Sequence, residues 1–365
     1  MPVPLRGPVA GLPAYKAGKP ASGSPGTVAY KLSSNENPFP PLPGVLERVA
    51  SACASMNRYP DMANAQVSAA VAARLGVAED RLAFGTGSVA VLYHLLQAVC
   101  EPGDEVVHAW RSFEAYPIAV QLTGARAVPV PLGPGAVHDL AALRAAVTPA
   151  TRVVLLCSPN NPTGPALAHD EVLAFVGSLP DDVLVVLDEA YVEFVTRPDV
   201  VRGLDLATGR DNVVLLRTFS KAYGLAGFRI GYCVAPPYLA QAVRSVALPF
   251  GVSLPAQAAV LASLDAEAGL LARVRELVLR RDALLAGLRE VGLDVPDAQG
   301  NFVWLGAGEA TVAVAETFGA AGLVVRPYAA GGPGDGVRIT VGETEANTRV
   351  LEVAATLPGT VRARA

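Results

Sequence analysis

From about residue 44 to residue 250 the chain alternates amphipathic stretches with short apolar runs. "GVLERVASACASMN" and "QVSAAVAARLG" place apolar residues at helical spacing, and Gly76 closes the second. Strands are predicted near Leu82–Phe84, Glu105–Ala109, Ala127–Val130, Val153–Cys157, Val183–Leu187, Val213–Arg217 and Arg229–Val234. "VVLLC" and "VLVVL" are apolar at every position, so both faces of those strands must be covered. This predicts an α/β fold, a mostly parallel sheet between two helix layers. The last third differs. A long helical stretch, "AGLLARVRELVLRRDALLAGLREVG", precedes short strands "NFVWL", "GLVVRP" and "GVRITVG" and a final helix, which reads as a smaller α+β domain. Residues 1–43, rich in Pro, Gly and Ser, read as an arm. The expected division is therefore 1–43, 44–250 and 251–365, the last boundary lying in "LPFGVSLPAQ".

Composition narrows the function. Of the 365 residues 52% are hydrophobic and 17% charged, and the formal net charge is −4, so there is an ample core and no basic footprint for nucleic acid. No apolar run is long enough to span a bilayer, and the proline-broken N-terminus lacks an apolar signal core. A cytoplasmic location is expected. Cys53, Cys100, Cys157 and Cys233 are widely spaced in apolar stretches and read as buried thiols, and the histidines show no metal-ligand spacing.

The basic residues then single out one position. Arginine supplies 25 of the 29 basic residues, and three of the four lysines, Lys16, Lys19 and Lys31, lie in the arm. Lys221 is the lysine in the body of the chain, and a lysine amine, unlike a guanidinium, can lose its proton and act as a nucleophile. Ligands of open α/β sheets sit at the carboxyl ends of the strands. Lys221 falls at such an end, with Ser220. So do Asp188, closing "VLVVLD", Asn161, following "VVLLC", and the glycine-rich turn "GTGS", where Ser88 is the expected N-cap. A glycine turn into a helix suits an anion, though it equally serves as an ordinary strand-to-helix turn. Asp188 read alone is equally a helix cap. Together with Arg229, a phosphate partner, and Tyr191, the set suggests pyridoxal phosphate: an imine-forming lysine, a carboxylate at the pyridine nitrogen and a phosphate site. In "GVRITVG", Val337, Ile339 and Val341 share one strand face and Arg338 and Thr340 the other; a guanidinium there suits a carboxylate or phosphate.

With "SPNNPTG", "LDEAYVEF" and "TFSKAYGLAGFRIGY" in hand, and with "SSNENPF" and "GVRITVGETEAN" near the ends, the whole chain resembles the fold-type I pyridoxal-phosphate aminotransferases of the histidinol-phosphate and aromatic amino acid group. The resemblance implies that Lys221 carries the cofactor as an imine. It implies Asp188 at the pyridine nitrogen, Tyr191 and Asn161 at the phenolic oxygen, and Phe113 stacked on the ring. Ser220, Arg229 and the backbone of Ser88 and Val89 would hold the phosphate. Tyr59 would reach the partner subunit's phosphate in a homodimer. Arg338 would bind the substrate's acidic group, with Tyr15 and Asn37 of the arm as substrate-closing positions.

Within the group, "GTGSVAVLYHLLQA" and "AWRSFEAYPIAVQLTGA" look closest to the actinobacterial aromatic, or phenylalanine, aminotransferases. The histidinol-phosphate branch carries an acidic residue soon after the Gly-Ser pair, where this chain has Val89 and Ala90. Pro40 stands where the group commonly has glycine. The expected activity is transfer of the amino group of phenylalanine, tyrosine or tryptophan to 2-oxoglutarate. Histidinol-phosphate transamination is the alternative, and a pyridoxal-phosphate lyase or decarboxylase a more distant one. A transcription regulator with an aminotransferase-like sensor would need a DNA-binding module that a 43-residue arm cannot hold.

Overall fold

The computed structural model describes residues 3–12, 18, 28–332 and 334–357. Tyr15, expected as a substrate-closing residue, lies outside them. The seven strands expected in the first two thirds form one sheet. They are β2 (Leu82–Gly85), β3 (Glu105–Trp110), β4 (Arg126–Pro131), β5 (Thr151–Cys157), β6 (Leu184–Asp188), β7 (Val213–Thr218) and β8 (Gly231–Val234), following a short arm strand β1 (Tyr30–Lys31). Their order is β2-β8-β7-β6-β5-β3-β4, and β8 is antiparallel to both neighbours while the remaining pairs are parallel.

The apolar runs are explained by what covers each face. Val154, Leu156, Val185, Leu187, Val213 and Leu215 point into one core, with Val67, Val71, Val172 and Val260 from the helices on that side. Val153, Leu155, Val186, Val214 and Leu216 point into the other, against Val91, Leu95, Tyr116, Val120 and Val243. Successive residues of a strand face opposite ways, so a strand covered on both sides must be apolar throughout.

A second, antiparallel sheet follows, β11-β12-β9, built from β9 (Phe302–Gly306), β11 (Arg326–Tyr328) and β12 (Gly336–Thr340). Its core takes Leu270, Val274, Leu277, Leu284 and Leu288 from the helix Glu267–Glu290 and Val314 and Phe318 from Thr311–Ala320. "GLVVRP" is not one strand. Its first part, β10 (Leu323–Val324), pairs in parallel with β1, and the chain passes to the other sheet at Val325.

Side-chain packing runs across two of the expected divisions. The helix Leu254–Asp265 lies beyond Gly251 yet buries Ala256, Ala259 and Val260 in the large core, so the chain changes core between it and the helix starting at Glu267. The end of the arm belongs to the small domain. Leu32 is buried in its core, the Leu32 N–H donates to the Val324 carbonyl (2.8 Å), and the Thr340 N–H donates to the Leu32 carbonyl (2.9 Å). A proline-rich stretch is exposed only until a sheet edge offers its backbone partners, which composition does not reveal.

Candidate active site

The carboxyl ends of β2, β3, β5, β6 and β7 open on one cavity of about 550 Å³ roofed by β11 and β12. Lys221, Asp188 and Tyr191 line it. So do Ser88, Val89, Ser220 and Arg229, and also Phe113, Asn161 and Arg338.

Asp188 ends β6 in the sheet centre and is buried. Its Oδ2 accepts from the Tyr116 hydroxyl at 2.9 Å and its Oδ1 from the Ala190 N–H at 3.1 Å. Burial raises its pKa to about 6, opposed by those two donors. Lys221 is half-buried, and its Nζ donates to the Ser34 carbonyl at 3.1 Å. Burial first, then the charge of Arg338, lowers the amine to about 7, so a large share is neutral at neutral pH. Tyr191 is buried with its ring edge on Phe302 (4.9 Å), and its hydroxyl accepts from Asn35 Nδ2 at 2.9 Å. That leaves its own proton for an acceptor in the cavity.

At the glycine turn, the helix Ser88–Val99 is capped by Gly87, not by Ser88, which is its first residue. The reason is conformational and steric. Gly87 has φ +90°, and a Cβ there would lie 2.6 Å from Arg229 Nη2. A Cβ on Gly231 would overlap the backbone of Ser88. The two glycines let the guanidinium and the helix N-terminus converge. Arg229 itself has φ +54° and precedes β8 rather than starting it, and its Nη1 donates to Ser220 Oγ (3.4 Å) and the Ala226 carbonyl (3.0 Å). Helix N–H groups, a hydroxyl and a guanidinium brought this close could hold an anion.

Arg338 is buried in the central strand of the small sheet. Nη1 donates to Asn161 Oδ1 (2.6 Å) and Nη2 to the Ser33 carbonyl (2.7 Å), while Nε has no partner. Both acceptors are neutral, so a buried cation awaits an anion. Because Asn161 Oδ1 is taken by Arg338, its Nδ2 remains as the donor.

Two expected residues lie elsewhere. Asn37 does not line this cavity: its Nδ2 donates to the Ala222 carbonyl (3.0 Å) and its Oδ1 accepts from the Phe39 N–H (3.0 Å), which fixes the backbone beside Lys221. Tyr59 is 81% exposed and stacks on Phe250 (4.6 Å), away from the cavity of its own chain.

Sequence reasoning missed Tyr116, Asn35, Arg326 and Glu114. Arg326 lines the cavity and pairs with Glu114 at 2.6 Å, while Arg111 pairs with Asp335; both ion pairs tie the segment carrying Phe113 to the small domain. A lone Arg in the apolar "GLVVRPY" carried the same signal that singled out Arg338. Tyr116 and Asn35 carried none.

Comparison with known proteins finds similar sequences and a similar fold. An aromatic amino acid aminotransferase of Streptomyces avermitilis is 55% identical over 96% of each chain, and one of Thermobifida fusca is 49% identical over 97% of each. The crystal structure of histidinol-phosphate aminotransferase from Sinorhizobium meliloti, in complex with pyridoxal-5'-phosphate, superposes with a TM-score of 0.82 at 31% identity over 90% of each chain. The sequence profile of aminotransferase class I and II matches residues 28–353. The chain belongs to the aminotransferase class I and II family, whose members depend on pyridoxal phosphate.

Proposed function

We propose that the protein transfers the amino group of phenylalanine, tyrosine or tryptophan to 2-oxoglutarate, in two half-reactions at one site. The observation that carries this reading is the pairing, in one buried cavity, of a low-pKa amine, Lys221, with a guanidinium, Arg338, that has only neutral partners. The aromatic assignment is supported by the names of relatives 49–55% identical over nearly the whole chain.

The donor set fits pyridoxal phosphate. The phosphate would lie on the N–H groups of Ser88 and Val89, Ser220 Oγ and Arg229, in the cradle that a Cβ at Gly87 would fill. Asp188 would face the ring nitrogen, Tyr191 and Asn161 Nδ2 the ring oxygen, and Phe113 the ring face. When bound, the cofactor supplies an aldehyde carbon for imine formation with an amine and a ring that withdraws electrons from the substrate's Cα. Arg338 binds and orients the substrate carboxylate through its planar fork. The Lys221 amine would take the proton from the substrate's Cα and pass it to the cofactor's aldehyde carbon, and would move a proton the opposite way in the second half-reaction, a role its pKa near neutrality suits. Asp188 would hold its negative charge toward the ring nitrogen. Tyr191 donates its phenolic proton into the cavity.

The active form in this reading is a cytoplasmic homodimer in which Tyr59 reaches the partner subunit's phosphate, supported by the exposed Tyr59–Phe250 stack and by exposed Met56, Met62 and Leu248, close to the two rings in sequence. Side-by-side kcat/KM values for phenylalanine and histidinol phosphate with 2-oxoglutarate test the substrate. A clear preference for histidinol phosphate would replace the aromatic assignment and give Arg338 a phosphate to bind. Oxo acid released without stoichiometric amino transfer would mark a lyase instead. Sedimentation at assay concentration tests the dimer, and an active monomer would overturn it.

A further inference from the structure

Tyr116 lies in the first turn of the helix Ala115–Thr123 and is 1% exposed. Its ring meets Phe113 edge-on at 5.6 Å and 86°, and His108 at 6.2 Å and 71°. Held between these rings, its hydroxyl donates to Asp188 Oδ2 at 2.9 Å and also lies against the Cys157 thiol. A buried tyrosine needs a partner for its hydroxyl, but any backbone carbonyl would serve. Here the partner is the carboxylate that faces the cavity at the end of β6.

A carboxylate's terminal torsion is broad, so a strand position alone does not set the plane of its oxygens. Two donors from different elements do: the Tyr116 hydroxyl on Oδ2 and the Ala190 N–H on Oδ1. We propose that Tyr116 is a positioning residue of the cofactor site, orienting Asp188 and holding it in its charged form toward the ring nitrogen of pyridoxal phosphate. The inference rests on that cofactor occupying the cavity. Burial alone favours the neutral acid, which would compete with the ring nitrogen for a proton, and a phenol donor opposes this. The Tyr116 hydroxyl is itself pushed well above its usual pKa by burial beside Asp188, so it stays a donor. The same ring supports Phe113, so one side chain orders two groups that would contact the cofactor.

Tyr116→Phe keeps the ring and both edge contacts and removes only the hydroxyl. Three measurements are expected to move together. Apoenzyme should bind pyridoxal phosphate about tenfold more weakly, in line with the loss of one hydrogen bond to a charged group. The visible absorbance of the bound cofactor should shift. The kcat for amino acid should fall about tenfold with KM held, because Tyr116 acts on the cofactor site and not on Arg338. Wild-type affinity and absorbance in Tyr116→Phe would overturn the inference and leave the residue a packing role. The cycle with Asp188→Asn tests the route: in that background Tyr116→Phe should change cofactor affinity less than about twofold, and an undiminished effect would also overturn it. A wild-type protein that binds no pyridoxal phosphate would sink the cofactor reading and this inference together, whereas a normal wild type with an unchanged Tyr116→Phe sinks the inference alone.

Discussion

Arg326 and Arg338 stand directly opposite each other on β11 and β12, both facing the cavity, yet they are differently matched in charge. Arg326 is paired with Glu114, and Arg338 makes no ion pair among the described residues. Tyr328 lies between them, its ring centroid 5.6 Å from each guanidinium carbon. The uncompensated cation is therefore Arg338, where an acidic substrate group gains most.

Arg338→Lys keeps a charge but loses the planar fork that spans Asn161 and Ser33. The expected result is a kcat/KM lower by about tenfold or more in both half-reactions, equivalent to about 1.4 kcal/mol or more. Unchanged KM values for amino acid and oxo acid would show that the substrate's acidic group binds elsewhere.

Lys221 provides a pH test that needs no cofactor. Its amine is lowered to about 7 from 10.5, so in the folded apoenzyme it becomes neutral as pH rises through about 7, and in the unfolded chain only near 10.5. Between those values the unfolded state binds more protons, so this group makes the apoenzyme more stable as pH rises. Acylation of Lys221 by an amine-specific reagent, followed by peptide mapping, should show a rate midpoint near pH 7. A midpoint above about 9 would contradict the burial and Arg338 effect.

Asp188 has the opposite linkage. Its folded pKa is raised from 3.8 to about 6, so the folded state binds more protons between those values, and this group's contribution to stability falls as pH rises through that window. The cost of the charged form is about 3 kcal/mol at most. Asp188→Asn should thus leave the cofactor-free protein equally or more heat-stable at pH 8, while weakening pyridoxal phosphate binding and lowering kcat by at least about tenfold. Lower stability together with normal turnover would reverse the assignment.

Gly87→Ala tests the phosphate cradle. The left-handed backbone costs about 1–3 kcal/mol for a residue with a Cβ, and the methyl group displaces the Arg229 guanidinium. Cofactor affinity should drop more than stability does. An Ala variant with wild-type affinity would mean that Arg229 approaches the phosphate by another path.

The large sheet can be read from the apolar runs of the chain. The central runs "VVLLC" and "VLVVL" were legible because a strand stretch covered on both faces has to be apolar throughout, whereas the edge strand β4, mostly exposed or half-buried, shows only a short apolar run. The strand ends then gave the chemistry: Asp188, Asn161, Ser220 and Lys221 stand out because polar residues that close buried runs are costly unless they meet a partner or a ligand. Tertiary structure decided what depends on distant parts of the chain. Asn35 reaches Tyr191 across 156 positions, Arg338 reaches Asn161 across 177 and Tyr116 reaches Asp188 across 72, and none of these pairings leaves a periodic trace. The capping of the helix at Ser88 by Gly87 came from the approach of Arg229, not from local preference. The arm's place in the small domain came from backbone hydrogen bonds to Val324 and Thr340, which any residue can make. Side-chain pattern records burial, whereas partner choice across domains is set only when the chain closes on itself.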